Sequence, residues 1–201
     1  MVIGIYGGTF DPIHYGHINA ARSFLRQCAL TKLYIVPAAI PPHKRISPSD
    51  IPDIRLEMVK LAFRDDKESG IYVSDYEIKT TGRKNYTVYT LEYYRQLYKN
   101  AKLILLCGSD MFETLENWHD APRIFKLAAI AHVRRGHADV NDKAEYFKDA
   151  YGADIVEIDM PRIDISSTAL RRMIADGADV SDYIPPDILD YIKERKLYGM
   201  K

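Results

Sequence analysis

Short apolar runs alternate with amphipathic helical stretches along almost the whole chain, and this alternation limits the possible folds more than any other feature. Five runs closed by Gly, Pro or Asp are typical of buried strands, at residues 2–6, 32–36, 103–107, 127–131 and 154–158. Residues 71–78 alternate more openly and predict an edge or half-exposed strand. Helices are predicted at residues 15–28, 52–64, 87–99, 141–150 and 186–195. This order predicts an α/β fold, a doubly wound parallel sheet with helices on both faces.

The balance of charge limits the class of partner. Lys and Arg together number 28, and Asp and Glu together also number 28, so the formal net charge is zero. Duplex nucleic acid and anionic membranes both favour a strong basic excess, so we expect no nucleic-acid partner and no membrane partner. A small anionic ligand needs only a few local cations and stays possible. At 201 residues, with no Ser/Gly-rich linker, the chain is expected to form a single domain over residues 1–201.

The cysteines and the first residues bear on the compartment. Cys28 and Cys107 each lie within an apolar run, which is typical of free thiols packed in a core under reducing conditions. The first residues enter a predicted strand at once, without a charged leader, and no apolar run approaches the length of about 18 residues that spans a membrane. We therefore expect a cytoplasmic protein.

The segment GGTFDPIHYGH, residues 7–17, joins the first predicted strand to the first predicted helix. Ligands of doubly wound sheets bind at the carboxyl ends of strands, where helix N-termini offer N–H groups and partial positive charge to phosphate. Gly7 and Gly8 remove side chains where the backbone must approach a ligand. His14 and His17 are three residues apart, so both imidazoles can face one anion, and Gly16 between them keeps the turn open.

Two simpler interpretations apply to parts of this segment. Two glycines after a strand often form only a tight turn, and a His-x-x-His pair at helical spacing can bind a metal. No third ligand follows at a suitable spacing, which argues against the metal. The whole string of eleven residues is more specific than either alternative explains.

A second motif, ISSTALR at residues 165–171, lies near the end of the chain. Ser and Thr before an apolar helical run are typical of a helix N-terminus, and Gly177 is placed to end that helix. A purely structural cap explains the hydroxyl groups. The same segment also brings hydroxyls, free N–H groups and the Arg171 guanidinium to one helix end, which suits a polyphosphate.

The string GGTFDPIHYGH resembles the signature of the nucleotidyltransferases with an H-x-G-H motif, and most closely that of the bacterial nicotinate-mononucleotide adenylyltransferase family. The resemblance implies a Rossmann-like fold and transfer of an adenylyl group from ATP to nicotinate mononucleotide. The products would be nicotinate adenine dinucleotide and pyrophosphate, in a step of NAD biosynthesis. ISSTALR is similar to the family's I-S-S-T-x-[IL]-R motif, which grips the β- and γ-phosphates of ATP.

The resemblance also assigns site residues. The catalytic residues it implies are His14, His17 and Arg171. The ATP-binding residues it implies are Gly7, Gly8, Thr9, Phe10, His14, His17, Gly108, Asp110, Ile165, Ser166, Ser167, Thr168 and Arg171. The residues it implies for the acceptor nucleotide are Lys44, Thr87, Asp110, Trp118 and Arg134.

Three segments carry the acceptor assignment, and two positions depart from the family pattern. PPHK at residues 41–44, NYTVYTL at 85–91 and GSDM at 108–111 followed by Trp118 match that family. The family often has W-Y where this chain has Trp118-His119, and R-P-G-Y where it has residues 134–137, RRGH. These departures concern the acceptor more than the adenylyl transfer.

The implied reaction needs no general base, because the acceptor phosphate is already a nucleophile near pH 7. Alignment and neutralisation of charge are then the catalytic tasks, with His14 and His17 as donors to phosphate oxygens. Mg²⁺ is expected to arrive on ATP, since no carboxylate cage is visible and no metal ligands are assigned in the chain.

Competing functions stay open at this point. Another H-x-G-H enzyme, such as phosphopantetheine adenylyltransferase or a cytidylyltransferase, shares the fold, although the former family is shorter and lacks the NYTVYTL and Trp118 region. A non-catalytic adenine-nucleotide-binding module is the alternative from another class. An oligomer is possible, and the sequence does not decide it.

Overall fold

The computed structural model describes residues 1–40, 51–80, 84–133, 140–160 and 165–200. Within these ranges the strands are β1 (Val2–Gly8), β2 (Lys32–Pro37), β3 (Ile71–Val73), β4 (Lys102–Cys107), β5 (Ala129–Val133) and β6 (Ile155–Ile158). The α-helices are α1 (Tyr15–Gln27), α2 (Pro52–Ala62), α3 (Tyr76–Lys79), α4 (Thr87–Leu97), α5 (Ser109–Phe112), α6 (Ala121–Leu127), α7 (Val140–Tyr151), α8 (Ser167–Ala175) and α9 (Pro186–Glu194). Short 3-10 helices lie at Leu115–Asn117 and Leu197–Gly199. No helix in these ranges is both long enough and apolar enough to cross a lipid bilayer.

The six strands form one sheet in the order β3-β2-β1-β4-β5-β6, and every pair is parallel. The chain moves outward from β1 through β2 to β3, then crosses back to β4 on the other side of β1. The carboxyl ends of β1 and β4 therefore flank the point where the strand order reverses, which is where doubly wound sheets bind ligands. The prediction of a Rossmann-like doubly wound parallel sheet is confirmed.

Helices cover both faces of the sheet, each over its own apolar layer. One layer joins the buried faces of α1, α2, α8 and α9, and the other joins those of α4, α6 and α7. Gly4 in β1 is required for the first layer, because a Cβ there would lie 2.4 Å from Leu30 Cδ1 and 2.9 Å from Phe24. This close approach seats α1 directly on the strand that leads into the first motif.

Two predicted strands differ from the observed structure. Residues 71–78 form a strand only over Ile71–Val73, after which α3 makes a single helical turn. The run at 127–131 is shifted, because Leu127 ends α6 and the strand begins at Ala129. Alternation over so few residues does not separate a strand from one turn of helix, so long-range contacts decide.

The helical turn at α3 buries a carboxyl group. Glu77 is 6% exposed, and its Oε1 accepts a hydrogen bond of 2.5 Å from the Thr90 hydroxyl. The Glu77 carbonyl accepts from Asn85 Nδ2 at 3.2 Å, and Asn85 Oδ1 accepts from the Ile40 N–H at 2.7 Å. Burial raises the pKa of Glu77 from 4.5 to about 7, against the smaller opposing effect of the Thr90 hydrogen bond. This network ties the end of β2 to the start of α4.

We predict that Glu77 makes the stability of the fold depend on pH. Its raised pKa means that the folded state holds the proton more tightly than the unfolded state. The stabilisation is complete below about pH 4.5 and is lost as the pH rises through about 7. In denaturant titrations, the unfolding free energy of the unaltered protein should therefore fall by on the order of 2–3 kcal/mol between about pH 5 and pH 8. In Glu77→Gln most of this fall should be absent.

The matched control is Glu57→Gln, since Glu57 is exposed and pairs with Lys60 on the surface of α2. This variant should retain the pH dependence of the unaltered protein. Equal slopes for the unaltered protein and Glu77→Gln would contradict the assignment.

Candidate active site

The first motif leaves β1 at the carboxyl edge of the sheet and turns sharply into α1. Gly8 ends the strand and accepts a hydrogen bond of 2.9 Å from the Ala38 N–H just beyond β2. Phe10 has a positive φ of 53°, an uncommon conformation for a bulky residue that is found where the surrounding structure enforces it. The turn ends at His14, the N-cap of α1.

The Phe10 side chain packs in the protein interior and stabilises this turn. Its ring is 2% exposed and makes edge contacts with Tyr6 and His17, with centroids 5.4 Å and 5.2 Å away. A Cβ at Gly8 would lie 2.7–3.0 Å from that ring, so glycine is needed there for packing inside the protein. Because the ring is buried, the Phe10 side chain is a packing group, and the nucleotide contact predicted at Phe10 would involve only its backbone.

His14 and His17 form a close pair at the start of α1. Their ring centroids are 3.8 Å apart, and both Nδ1 atoms are shielded from solvent. His14 is 5% exposed and its Nδ1 has no hydrogen-bond partner, and burial lowers its pKa from 6.5 to about 4. His14 is therefore neutral at pH 7. A Cβ at Gly16 would lie 3.0 Å from the His14 ring, so Gly16 leaves room for the imidazole.

The second motif begins α8, as its serines and threonine predict. The Ser166 hydroxyl accepts from the Ala169 N–H at 3.1 Å and makes Ser166 the N-cap. By helix geometry, the N–H groups of Ser167 and Thr168 have no acceptor within the helix. Gly177, with a φ of 74°, follows the end of the helix as predicted.

The two motifs, about 155 residues apart in sequence, contact each other directly. The Ser167 hydroxyl donates to the Pro12 carbonyl at 3.0 Å. Arg171 Nη1 donates to the Asp11 carbonyl at 2.6 Å and lies 3.4 Å from the Asp11 carboxylate. Nη2 of the same guanidinium lies 3.3 Å from the Thr168 hydroxyl. The N-termini of α1 and α8 thus meet at the carboxyl edge of the sheet.

Arg55 of α2 is a structural residue of this site that the sequence interpretation missed. It is 1% exposed, and its Nη1 donates to the carbonyls of Thr9 at 2.8 Å and Ala38 at 2.7 Å. Its Nη2 donates to the Ala39 carbonyl at 3.3 Å. The available signal was an arginine on the same helical face as the buried Met58. Arg55 holds the first motif against the chain that leaves β2.

Two of the residues predicted to bind the acceptor, Thr87 and Trp118, belong to segments that pack on the second apolar layer, the one that includes α4. Thr87 is half-buried at the first position of α4, and Trp118 is half-buried after the 3-10 helix. The segments meet through His119, whose ring stacks on Tyr86 with centroids 4.2 Å apart and lies 3.3 Å from the Tyr89 hydroxyl. His119, which stands where the family often has tyrosine, therefore forms an aromatic cluster with Tyr86 and Tyr89 beside Thr87.

The other residues predicted for the site are Gly108, Asp110, Ile165, Lys44 and Arg134. Gly108 follows β4 as the N-cap of α5, and Asp110 is exposed in its first turn. Ile165 is half-buried against the apolar layer beside α8. Lys44, Arg134 and the RRGH departure at residues 134–137 lie outside the described residues. In the part of the chain that the structure describes, no three His, Cys, Asp or Glu side chains cluster as a metal site would require.

The fold and the two meeting motifs define a class of nucleotide-binding enzyme, and comparison with known proteins gives the family. A family model described as "Cytidylyltransferase-like" matches residues 5–173, so the chain belongs to the cytidylyltransferase-like family of nucleotidyltransferases. Within it, the relatives described next place the chain among the nicotinate-nucleotide adenylyltransferases.

Two curated relatives span nearly the whole chain. A Clostridium perfringens protein named "Probable nicotinate-nucleotide adenylyltransferase" is 36% identical over 201 residues, covering 98% of this chain and 97% of the relative. A Clostridium tetani protein of the same name is 33% identical over 197 residues, covering 96% and 97%. The similarity therefore includes both motifs and the region between them.

Solved structures share the fold. Plasmodium falciparum nicotinic acid mononucleotide adenylyltransferase complexed with NaAD matches with a TM-score of 0.83 and 23% identity, covering 100% of this chain and 98% of that one. The same enzyme complexed with APC matches with a TM-score of 0.81. At this identity the likeness concerns the arrangement of strands and helices.

We predict that Arg55→Lys destabilises the protein and weakens catalysis together. A lysine ammonium cannot reach three carbonyls with the planar fork of a guanidinium, so buried acceptors lose their donors. Chemical denaturation should give a loss of about 2 kcal/mol in the free energy of unfolding. Arg64→Lys just beyond the same helix is the matched control, because Arg64 makes an exposed ion pair with Asp187. The control should lose less than about 1 kcal/mol; equal losses would contradict the role of Arg55.

Proposed function

We propose that this protein transfers the adenylyl group of ATP to nicotinate mononucleotide. A phosphate oxygen of the acceptor attacks the α-phosphorus of ATP and forms a new phosphoanhydride bond. The bond from the α-phosphorus to the bridging oxygen of the β-phosphate breaks in line, and its electron pair leaves with pyrophosphate. The products are nicotinate adenine dinucleotide and pyrophosphate.

The observation that carries the proposal is the meeting of the two motifs. Two helix N-termini, the His14–His17 pair and the Arg171 guanidinium converge at the switch point of the sheet. Helix N-termini and guanidinium groups both favour phosphate, and their combination suits a polyphosphate. Full-length relatives carrying the name of this activity support the same reaction.

The lowered pKa of His14 supports a role for it as a neutral hydrogen-bond donor, and the buried Nδ1 atoms of both histidines support donation from Nε2. A neutral imidazole carries one proton, and a shielded Nδ1 leaves Nε2 as the nitrogen that can reach a ligand. We propose that the Nε2–H groups of His14 and His17 donate to the α- and β-phosphate oxygens. In a site shielded from water, a fixed donor stabilises developing charge more than it would in bulk solvent.

The helix at the second motif is proposed to hold the leaving group. The N–H groups of Ser167 and Thr168, the Thr168 hydroxyl and the Arg171 guanidinium would bind the β- and γ-phosphates, while the Ser167 hydroxyl stays on the Pro12 carbonyl. Gly7, Gly8 and Thr9 would pass beneath the nucleotide with their backbone. ATP would bring Mg²⁺ with it, and that ion would neutralise part of the charge on the phosphates held by these residues.

The aromatic cluster beside α4 is proposed to hold the pyridine nucleotide. Trp118 offers a ring face for the base, and the Thr87 hydroxyl lies at a helix start suited to the acceptor phosphate. Asp110, exposed at the end of β4, suits ribose hydroxyls because a carboxylate can accept hydrogen bonds from a diol. Lys44 and Arg134 complete the proposed acceptor set.

The test is a coupled assay of pyrophosphate release with ATP and Mg²⁺. Nicotinate mononucleotide, its amide and phosphopantetheine are offered separately, and release is expected with nicotinate mononucleotide. His17→Ala should lower kcat by about 10²-fold or more while its thermal unfolding stays near that of the unaltered protein. This variant also excludes a contaminating enzyme as the source of activity.

Other outcomes would contradict particular parts of the proposal. If pyrophosphate is released only with phosphopantetheine, the proposed adenylyl transfer would stand and the assignment of nicotinate mononucleotide as the acceptor would be wrong. If folded protein releases no pyrophosphate with any of the three acceptors, a non-catalytic adenine-nucleotide-binding module would be favoured. An unchanged kcat in His17→Ala would overturn the donor role of that histidine.

We predict that Trp118→Ala raises the KM for the pyridine nucleotide and leaves the KM for ATP unchanged. Loss of a ring that stacks on a base typically costs about 1–3 kcal/mol, which corresponds to an increase in KM of roughly 5-fold to 150-fold. Initial rates measured against each substrate in turn would separate the two constants. If both KM values stay constant, Trp118 serves only packing.

A further inference from the structure

The short 3-10 helix Leu197–Gly199 carries a tyrosine into contact with the first motif. Tyr198 donates from its hydroxyl to Asp11 Oδ1 at 2.7 Å, across 187 residues of sequence. The sequence interpretation did not assign Asp11 or Tyr198 to the site. We propose that Tyr198 is a positioning residue that acts through Asp11 on Arg171, and this inference rests on the proposed function.

The Asp11 carboxylate joins the tyrosine to the arginine. Its Oδ1 accepts from Tyr198, and its Oδ2 lies 3.4 Å from Arg171 Nη1. The same Nη1 donates to the Asp11 carbonyl at 2.6 Å, so one residue contacts the guanidinium twice. Tyr198 fixes the rotation of the carboxylate, and the carboxylate then fixes the plane of the guanidinium. A fixed guanidinium meets a polyphosphate without losing rotamer freedom on binding.

The backbone around Tyr198 is held in an uncommon conformation. Lys196 and Tyr198 have positive φ values of 52° and 58°, which cost free energy for residues with a Cβ. Such conformations persist where packing enforces them, and they are found at functional sites. The segment packs against α8, the helix whose first turn carries the second motif. The strained turn therefore places the hydroxyl at the junction of the two motifs.

The surroundings of the hydroxyl limit its movement. The Tyr198 oxygen also lies 3.9 Å from the sulfur of Met58, which is fully buried in α2. The Asp11 carboxylate is only 20% exposed, so water competes weakly for its oxygens. A hydrogen bond to a partly buried ionised group is stronger than a neutral one at the surface.

The experiment uses Tyr198→Phe, which removes one oxygen and keeps the ring. We expect kcat/KM for ATP to fall about tenfold, the value of one hydrogen bond to a charged group. The KM for nicotinate mononucleotide should stay constant, and Tm should fall by the few degrees that the loss of one hydrogen bond to a charged group costs. Tyr191→Phe is the matched control, because that ring lies in the neighbouring helix α9 with Arg195 over it. The control should leave both kinetic constants unchanged.

A double-mutant cycle separates positioning from simple packing. In the Arg171→Ala background, Tyr198→Phe should have no further effect on kcat/KM for ATP, because the group on which it acts is missing. Equal losses in both backgrounds would overturn the inference. An unchanged kcat/KM for ATP in Tyr198→Phe would also overturn it.

Binding of ATP with Mg²⁺, measured by calorimetry without acceptor, makes the inference independent of turnover. Tyr198→Phe should bind ATP about tenfold more weakly than the unaltered protein. If the protein binds ATP but transfers no adenylyl group, the proposed function is overturned. The comparison of ATP affinity between the unaltered protein and Tyr198→Phe would still decide the role of Tyr198. Equal ATP affinity in the two proteins would overturn the positioning role even if the enzyme is active.

Discussion

The contact between the loop after β1 and the start of α8 is the interaction on which the site depends. Arg171 and Ser167 hold the carbonyls of Asp11 and Pro12, so two helix N-termini point to one place. Neither helix alone would attract a polyphosphate strongly, because the field of a helix end falls off within its first turn. Their contact at the switch point of the sheet brings two helix starts and a guanidinium together, an arrangement that suits the proposed binding of a polyphosphate. The family assignment agrees with this geometry.

Burial determines the protonation state of His14. The His14 ring is shielded from water beside His17, and its lowered pKa of about 4 keeps it neutral at physiological pH. A neutral His14 ring can lie 3.8 Å from the His17 ring without charge repulsion between them. The cost is an unpartnered Nδ1 on His14, which a stable core would normally avoid. An unpartnered buried atom of this kind agrees with the proposed role of His14 as a hydrogen-bond donor to a ligand.

Buried polar side chains link the parts of the site that come from distant segments. Arg55 holds the first motif to the end of β2, and Asn85 holds the same stretch to the start of α4. His119 then stacks on Tyr86, which connects the Trp118 segment to α4. The proposed ATP side and the proposed acceptor side thus share one continuous framework.

The sequence by itself determined the doubly wound fold and the helix that begins within ISSTALR, because these depend on local periodicity and capping. It also marked out the two motifs, because each is a contiguous string of residues. It missed the helical turn at α3 and the roles of Arg55, Asp11 and Tyr198. An arginine that donates to three distant carbonyls and a tyrosine 187 residues from its acceptor leave no periodic signal. Only the tertiary structure brings these groups together, because their partners are backbone and carboxylate atoms chosen by the packing of whole helices.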